Sequence, residues 1–83
     1  MITITVTSNS IEAKGHANYN EHGKDIICAA VSALMQTLEL RGTATKQSGY
    51  MKVSTEDKEA LKLIAEGLKQ IADNYSEYVE VIE

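Results

Sequence analysis

The chain has 83 residues, and its 8 Lys and Arg residues against 12 Asp and Glu leave a formal net charge of −4. With its basic residues dispersed and no aromatic interleaving, such a chain lacks the basic face that a general nucleic-acid binder needs. No apolar run is long enough to span a bilayer and no charged-then-apolar leader opens the chain, so neither nucleic acid nor membrane is expected as a partner.

The hydrophobic share of 43% and the charged share of 24% suit an ordinary globular chain, read as one domain over residues 1–83. Cys28 stands alone, so no intrachain disulfide is available, and a reducing cytoplasmic compartment is expected.

Ile2, Ile4 and Val6 alternate with Thr3, Thr5 and Thr7, the period of a half-buried strand. Ser8-Asn9-Ser10 supplies a turn, and a second alternating run follows. In it Ile11, Ala13, Gly15 and Ala17 share one face, with Glu12, Lys14 and His16 on the other. His16 is then a strand residue beside a polar loop, Asn18 to Lys24, in which Asn18 and Gly23 tolerate unusual backbone angles. Taken alone, a histidine so placed is most often a solvated strand residue.

Asp25 has the character of a helix N-cap. Counting from it, Cys28 falls in the first turn, where the helix dipole and unpaired amides favour a thiolate. A nearby carboxylate opposes this unless other donors engage it. Ile27, Val31, Leu34 and Leu38 mark the core stripe of this first helix, and Gly42 closes it as a C′ glycine. Cys28 lies beside the stripe, where a lone cysteine is commonly a small buried hydrophobe. Ser32 follows one turn later on the same face, and its default role is a bond to a carbonyl of the preceding turn.

Thr43–Lys46 and Tyr50–Val53 flank Gln47-Ser48-Gly49 as a second hairpin. Ser54 followed by Asp57 carries a capping signature. The second helix then presents Leu61, Ile64, Ala65, Leu68, Ile71, Ala72 and Tyr75 as one apolar stripe. Gly67 lies off it, and either lowers helix propensity or marks a close packing contact. Tyr78 to Ile82 reads as a last strand. The order β-β-α-β-β-α-β places two amphipathic helices on one face of a small, mostly antiparallel sheet, an α+β fold.

Both histidines and the cysteine thus cluster within GHANYNEHGKDIICAAVSAL, residues 15–34. A Cys and a His brought together are the minimum for thiolate catalysis. His16, His22, Asp25 and Cys28 are also ligand types suited to zinc, but their spacing matches no common zinc motif, so neither metal nor cofactor is expected.

This segment resembles the ribosomal-processing cysteine protease family (Prp). The likeness rests on Gly15-His16-Ala17, the spacing to Gly23-Lys24-Asp25-Ile26, and Cys28-Ala29-Ala30-Val31-Ser32-Ala33-Leu34. It implies a cysteine endopeptidase with Cys28 as nucleophile, His16 as general base and later acid, and Asp25 and Ser32 as supporting residues. It also implies a homodimer and a mobile loop over Asn18–Lys24, which includes Gly23. The implied substrate is a ribosomal protein of the large subunit carrying an N-terminal extension, or a phage capsid or scaffold protein. Members commonly carry Gly and an aromatic where this chain has Asn18 and His22, and the chain is shorter than usual. Backbone amides of the first helical turn are the expected oxyanion donors. The alternative is a non-catalytic, dimeric peptide-binding module of the same fold, holding an extended peptide by strand addition.

Overall fold

The computed structural model describes residues 1–20 and 25–83. Its elements are β1 (Ile2–Val6), β2 (Ser10–Lys14), α1 (Ile26–Glu39), β3 (Thr43–Gln47), β4 (Tyr50–Ser54), α2 (Lys58–Asn74) and β5 (Val79–Ile82). The five strands form one mixed sheet in the order β3-β4-β2-β1-β5. β2 pairs antiparallel with both β1 and β4, β3 antiparallel with β4, and the edge strand β5 runs parallel to β1. This is the α+β order that the sequence pattern predicts.

The alternation of β1 decides the layering. Ile2, Ile4, Ile11, Val53 and Val79 are buried together on one face, while the Thr3↔Lys14, Thr5↔Glu12 and Glu12↔Lys52 register pairs occupy the other. Ile27, Val31, Met35 and Leu38 of α1 and Leu61, Ile64, Ala65 and Leu68 of α2 close over the apolar side. Met35 replaces Leu34 in the expected stripe of α1. Leu34 instead meets Gly67 of α2, where a Cβ would lie 3.2 Å from Leu34 Cδ1. Gly67 therefore marks a close helix–helix contact.

Three expected boundaries move. β2 ends at Lys14 rather than running on to Ala17, because Gly15 takes a φ of +100° and turns the chain out of the sheet. α1 ends at Glu39, and Gly42 is not its C′ residue. Gly42 is needed instead for a close approach, since a Cβ there would strike the Ser54 carbonyl oxygen. The cap of α2 is Asp57, whose carboxylate accepts from the Ala60 amide; Ser54 belongs to β4. Thr55 supports that cap, its Oγ1 accepting from the Asp57 amide at 3.0 Å.

Candidate active site

Gly15 is the hinge on which the site turns. A Cβ at this position would collide with the Met1 carbonyl oxygen, and the left-handed φ adds strain for any other residue. Its amide donates to the Gly49 carbonyl at 2.8 Å, which ties the end of β2 to the β3–β4 turn. His16 therefore leaves the strand face expected for it and packs on Gly49. A Cβ on Gly49 would stand 2.9 Å from the imidazole Nε2.

Ala17 comes next and is buried at 3% exposure. Its amide donates to Cys28 Sγ at 3.4 Å. The sulfur thus accepts from the backbone of the segment that follows β2. Asn18 adopts a φ of 56°, a left-handed conformation that Asn tolerates better than other side chains. Residues 21–24 lie outside the described residues, so the expectations for His22, Gly23 and a mobile loop fall there in part.

Asp25 caps α1 as the sequence predicts. Its Oδ1 accepts from the amides of Ile27 and Cys28, each at 3.0 Å, and its Oδ2 from the Tyr19 amide at 2.9 Å. Burial pushes this carboxyl's pKa up. The amides of Cys28, Tyr19 and Asn20, with the Cys28 side chain, outweigh that effect and hold it below its ordinary value. The carboxylate is thus engaged by donors, the condition under which it can stand beside a thiolate. The same bonds correct one expectation. The Ile27 and Cys28 amides are committed to Asp25, and the Ala29 amide to the Asp25 carbonyl, so these three are not free to bind an oxyanion.

Cys28 is half-buried and packs against the core edge. It opens on a cleft of about 690 Å³ between α1 and the β3–β4 hairpin, shared with His16, Asn18, Asp25, Ser32, Gln36 and Tyr50. Ala13, Ala29 and Met51 give the cleft an apolar surface, with the buried side chains of Ile2, Val31 and Met35 beneath it. The Ser32 Oγ accepts from Gln36 Nε2 at 2.8 Å, a bond that leaves its own proton uncommitted. Among the described residues no hydrogen bond joins His16 to Cys28, and no three His, Cys, Asp or Glu side chains gather as a metal would require. The residues that sequence reasoning missed are Ala17, Gly49 and Gln36. Ala17 acts through its backbone amide and Gly49 by lacking a side chain, so only Gln36, one turn beyond Ser32, left a readable signal.

The family model described as cysteine protease Prp matches residues 1–80. The chain belongs to the cysteine protease Prp family. Among relatives, it is 51% identical over 35 residues to the ribosomal processing cysteine protease Prp of Mycoplasma genitalium. That match takes in 42% of this chain and 35% of that protein, so it spans about a third of the relative's length. Solved structures extend the likeness to the whole fold. Prp from S. aureus, an essential ribosomal processing protease crystallised with a covalently linked product peptide, superposes with a TM-score of 0.85. The two are 24% identical, with 99% of this chain and 98% of that one covered. SMU.848 from Streptococcus mutans gives a TM-score of 0.77 at 27% identity, covering 99% of this chain and 92% of its own.

Proposed function

We propose that this chain is a cysteine endopeptidase in which Cys28 is the nucleophile and His16 the general base. The observation that carries the reading is that both side chains line one cleft, with the Ala17 amide directed at the Cys28 sulfur. In the first step His16 takes the thiol proton and Sγ bonds to the scissile carbonyl carbon. Collapse of the tetrahedral intermediate breaks the C–N bond, and the imidazolium gives its proton to the departing amine. Water, deprotonated by His16, then releases the acyl group from sulfur. With the Ile27 and Cys28 amides held by Asp25, the Ser32 hydroxyl is the oxyanion donor in this reading. Gln36 donates to its oxygen, which leaves the hydroxyl proton free to point into the cleft.

The substrate in this reading is a protein with an apolar segment beside the cut, matched to the apolar side chains of Ala13, Ala29 and Met51 at the cleft surface. A ribosomal protein with an N-terminal extension is the first client to test, in keeping with the naming of the Mycoplasma relative, and a phage capsid precursor the second. A homodimer working in the cytoplasm goes with this reading.

The deciding experiment mixes wild type, Cys28→Ala or His16→Ala with each client and follows cleavage by mass spectrometry. Loss of cutting by several orders of magnitude in both folded variants, with Cys28 still slowly alkylable in His16→Ala, is the expected result. Full activity of Cys28→Ala would overturn the assignment. The absence of a His16–Cys28 hydrogen bond favours a second reading, the non-catalytic peptide-binding dimer, although catalytic hydrogen bonds often tighten only around substrate. Tight peptide binding by wild type without any turnover would establish it.

A further inference from the structure

Residues 17–20 join the end of β2 to the segment before α1, and their position decides where the Ala17 amide points. Two anchors of this short segment are described above, the Ala17 amide on the thiol and the Tyr19 amide on Asp25. A third lies across the molecule. The Tyr19 ring, still 42% exposed, meets two tyrosines at the corner where α2 ends and β5 begins. Its centroid lies 5.2 Å from that of Tyr78 with the planes at 82°, and 6.1 Å from that of Tyr75 at 80°. Both are edge-to-face arrangements of the kind aromatic quadrupoles favour.

The two partner rings stand on firm backbone. The Tyr75 amide donates to the Ile71 carbonyl, closing the last turn of α2, and the Tyr78 amide donates to the Tyr75 carbonyl, both at 2.9 Å. The Tyr78 carbonyl accepts from the Ile2 amide at 2.8 Å, and its side chain packs against the core. The Tyr19 ring therefore docks on a platform fixed to the sheet and to α2. Asn18, at a left-handed φ, makes the bend that lets Ala17 turn into the core while Tyr19 turns outward.

We propose that Tyr75 and Tyr78 act as positioning residues for Cys28, holding Tyr19 so that the Ala17 amide stays directed at the sulfur. Its meaning for turnover rests on the reading of Cys28 as nucleophile; the coupling itself concerns the thiol. Among the described residues, the titratable side chains sharing the cleft with that thiol are His16, Asp25, Lys46 and Tyr50, and Lys46 is paired with Glu39 at 2.6 Å. None of them belongs to the tyrosine corner, so a change made there reaches the sulfur through the 17–20 segment.

The test is the pH dependence of iodoacetamide alkylation of Cys28 in the full chain. One hydrogen bond to a charged sulfur corresponds to a midpoint shift of about one pH unit. Tyr19→Ala and Tyr78→Leu, the latter keeping apolar bulk against the core, are expected to raise the midpoint by that amount. Alkylation below the midpoint then slows about tenfold. Tyr19→Phe, which keeps the ring contacts, is expected to leave the midpoint in place. An unchanged midpoint in Tyr19→Ala, with only a lower melting temperature, would show a merely structural cluster and overturn the proposal. An equal shift in Tyr19→Phe would also overturn it, by making the hydroxyl rather than the ring the active part. Cleavage plays no part in this readout, so failure to cut any client would sink the proposed function and leave the coupling standing.

Discussion

The Ala17 amide donates to the Cys28 sulfur at 3.4 Å although the two residues stand 11 positions apart. One belongs to the turn out of β2 and the other to the first turn of α1. The bond exists because Gly15 reverses the chain and Asp25 starts the helix where it does. Two backbone devices thus bring the amide and the thiol together.

Asp25 carries both helix stability and the local charge balance. Asp25→Ala is expected to cost about 1 kcal/mol at neutral pH, the ordinary value of an N-cap. Because its folded pKa lies below the ordinary 3.8, the ionised carboxylate stabilises the fold above that pH. That contribution fades as pH falls from 3.8 through the lower folded value. Urea unfolding of wild type and Asp25→Ala should show a gap at pH 7 that narrows in strong acid; a constant gap would contradict the carboxylate's role.

Gly49 and Gly67 should respond oppositely to alanine. At Gly49 the φ of +69° costs about 1–2 kcal/mol for an L side chain, and the new Cβ would displace the His16 ring. Both a lower melting temperature and shifted His16 ring resonances are expected. At Gly67 helix propensity gains roughly 1 kcal/mol, set against a contact with the flexible end of half-buried Leu34. Gly67→Ala is expected to be neutral or slightly stabilising in a thermal melt, and a loss of several degrees would mean that the helices cannot separate by a few tenths of an ångström.

Leu68 is fully buried between α2 and the sheet, whereas Leu63 on the same helix is 68% exposed. Leu68→Ala should cost about 3 kcal/mol, a large part of the stability of a chain this size. Leu63→Ala should stay within about 0.5 kcal/mol of wild type. Denaturant midpoints of the pair test whether the core divides as described.

The Tyr50 hydroxyl donates to Glu12 Oε2 at 2.9 Å, joining β4 to β2. That bond, then burial, then the carboxylate's charge, push the phenol's pKa above 10.0. The protonated phenol is the bonded form, so the interaction is complete below pH 10 and lost as pH rises through the folded value. Glu12→Gln should bring the Tyr50 titration, followed by phenolate absorbance against Tyr50→Phe, back toward 10. An unmoved titration would show that the carboxylate is not the cause.

Much of this was legible before the fold was known. Threonine alternating with isoleucine and valine marks β1, the 3–4 spacing from Leu61 to Leu68 marks α2, and Asp25 marks the start of α1. These are local signals, because each side chain reports the period of its own element. The sequence pattern carries β2 on to Ala17 because apolar alternation persists past Gly15, and a positive φ leaves no trace in hydropathy. Gly42 reads as a helix cap for the same reason, since composition does not separate a left-handed glycine from one required by a close approach.

The sequence by itself determined the elements, the layer order and the clustering of His16 and Cys28, because periodicity, capping and residue spacing are properties of neighbours along the chain. Tertiary structure alone decided that His16 rests on Gly49, that the Ala17 amide reaches the Cys28 sulfur, and that Tyr19 docks on Tyr75 and Tyr78. Each of those contacts joins elements far apart in the chain. Its geometry depends on how the helices pack on the sheet, which no local pattern encodes.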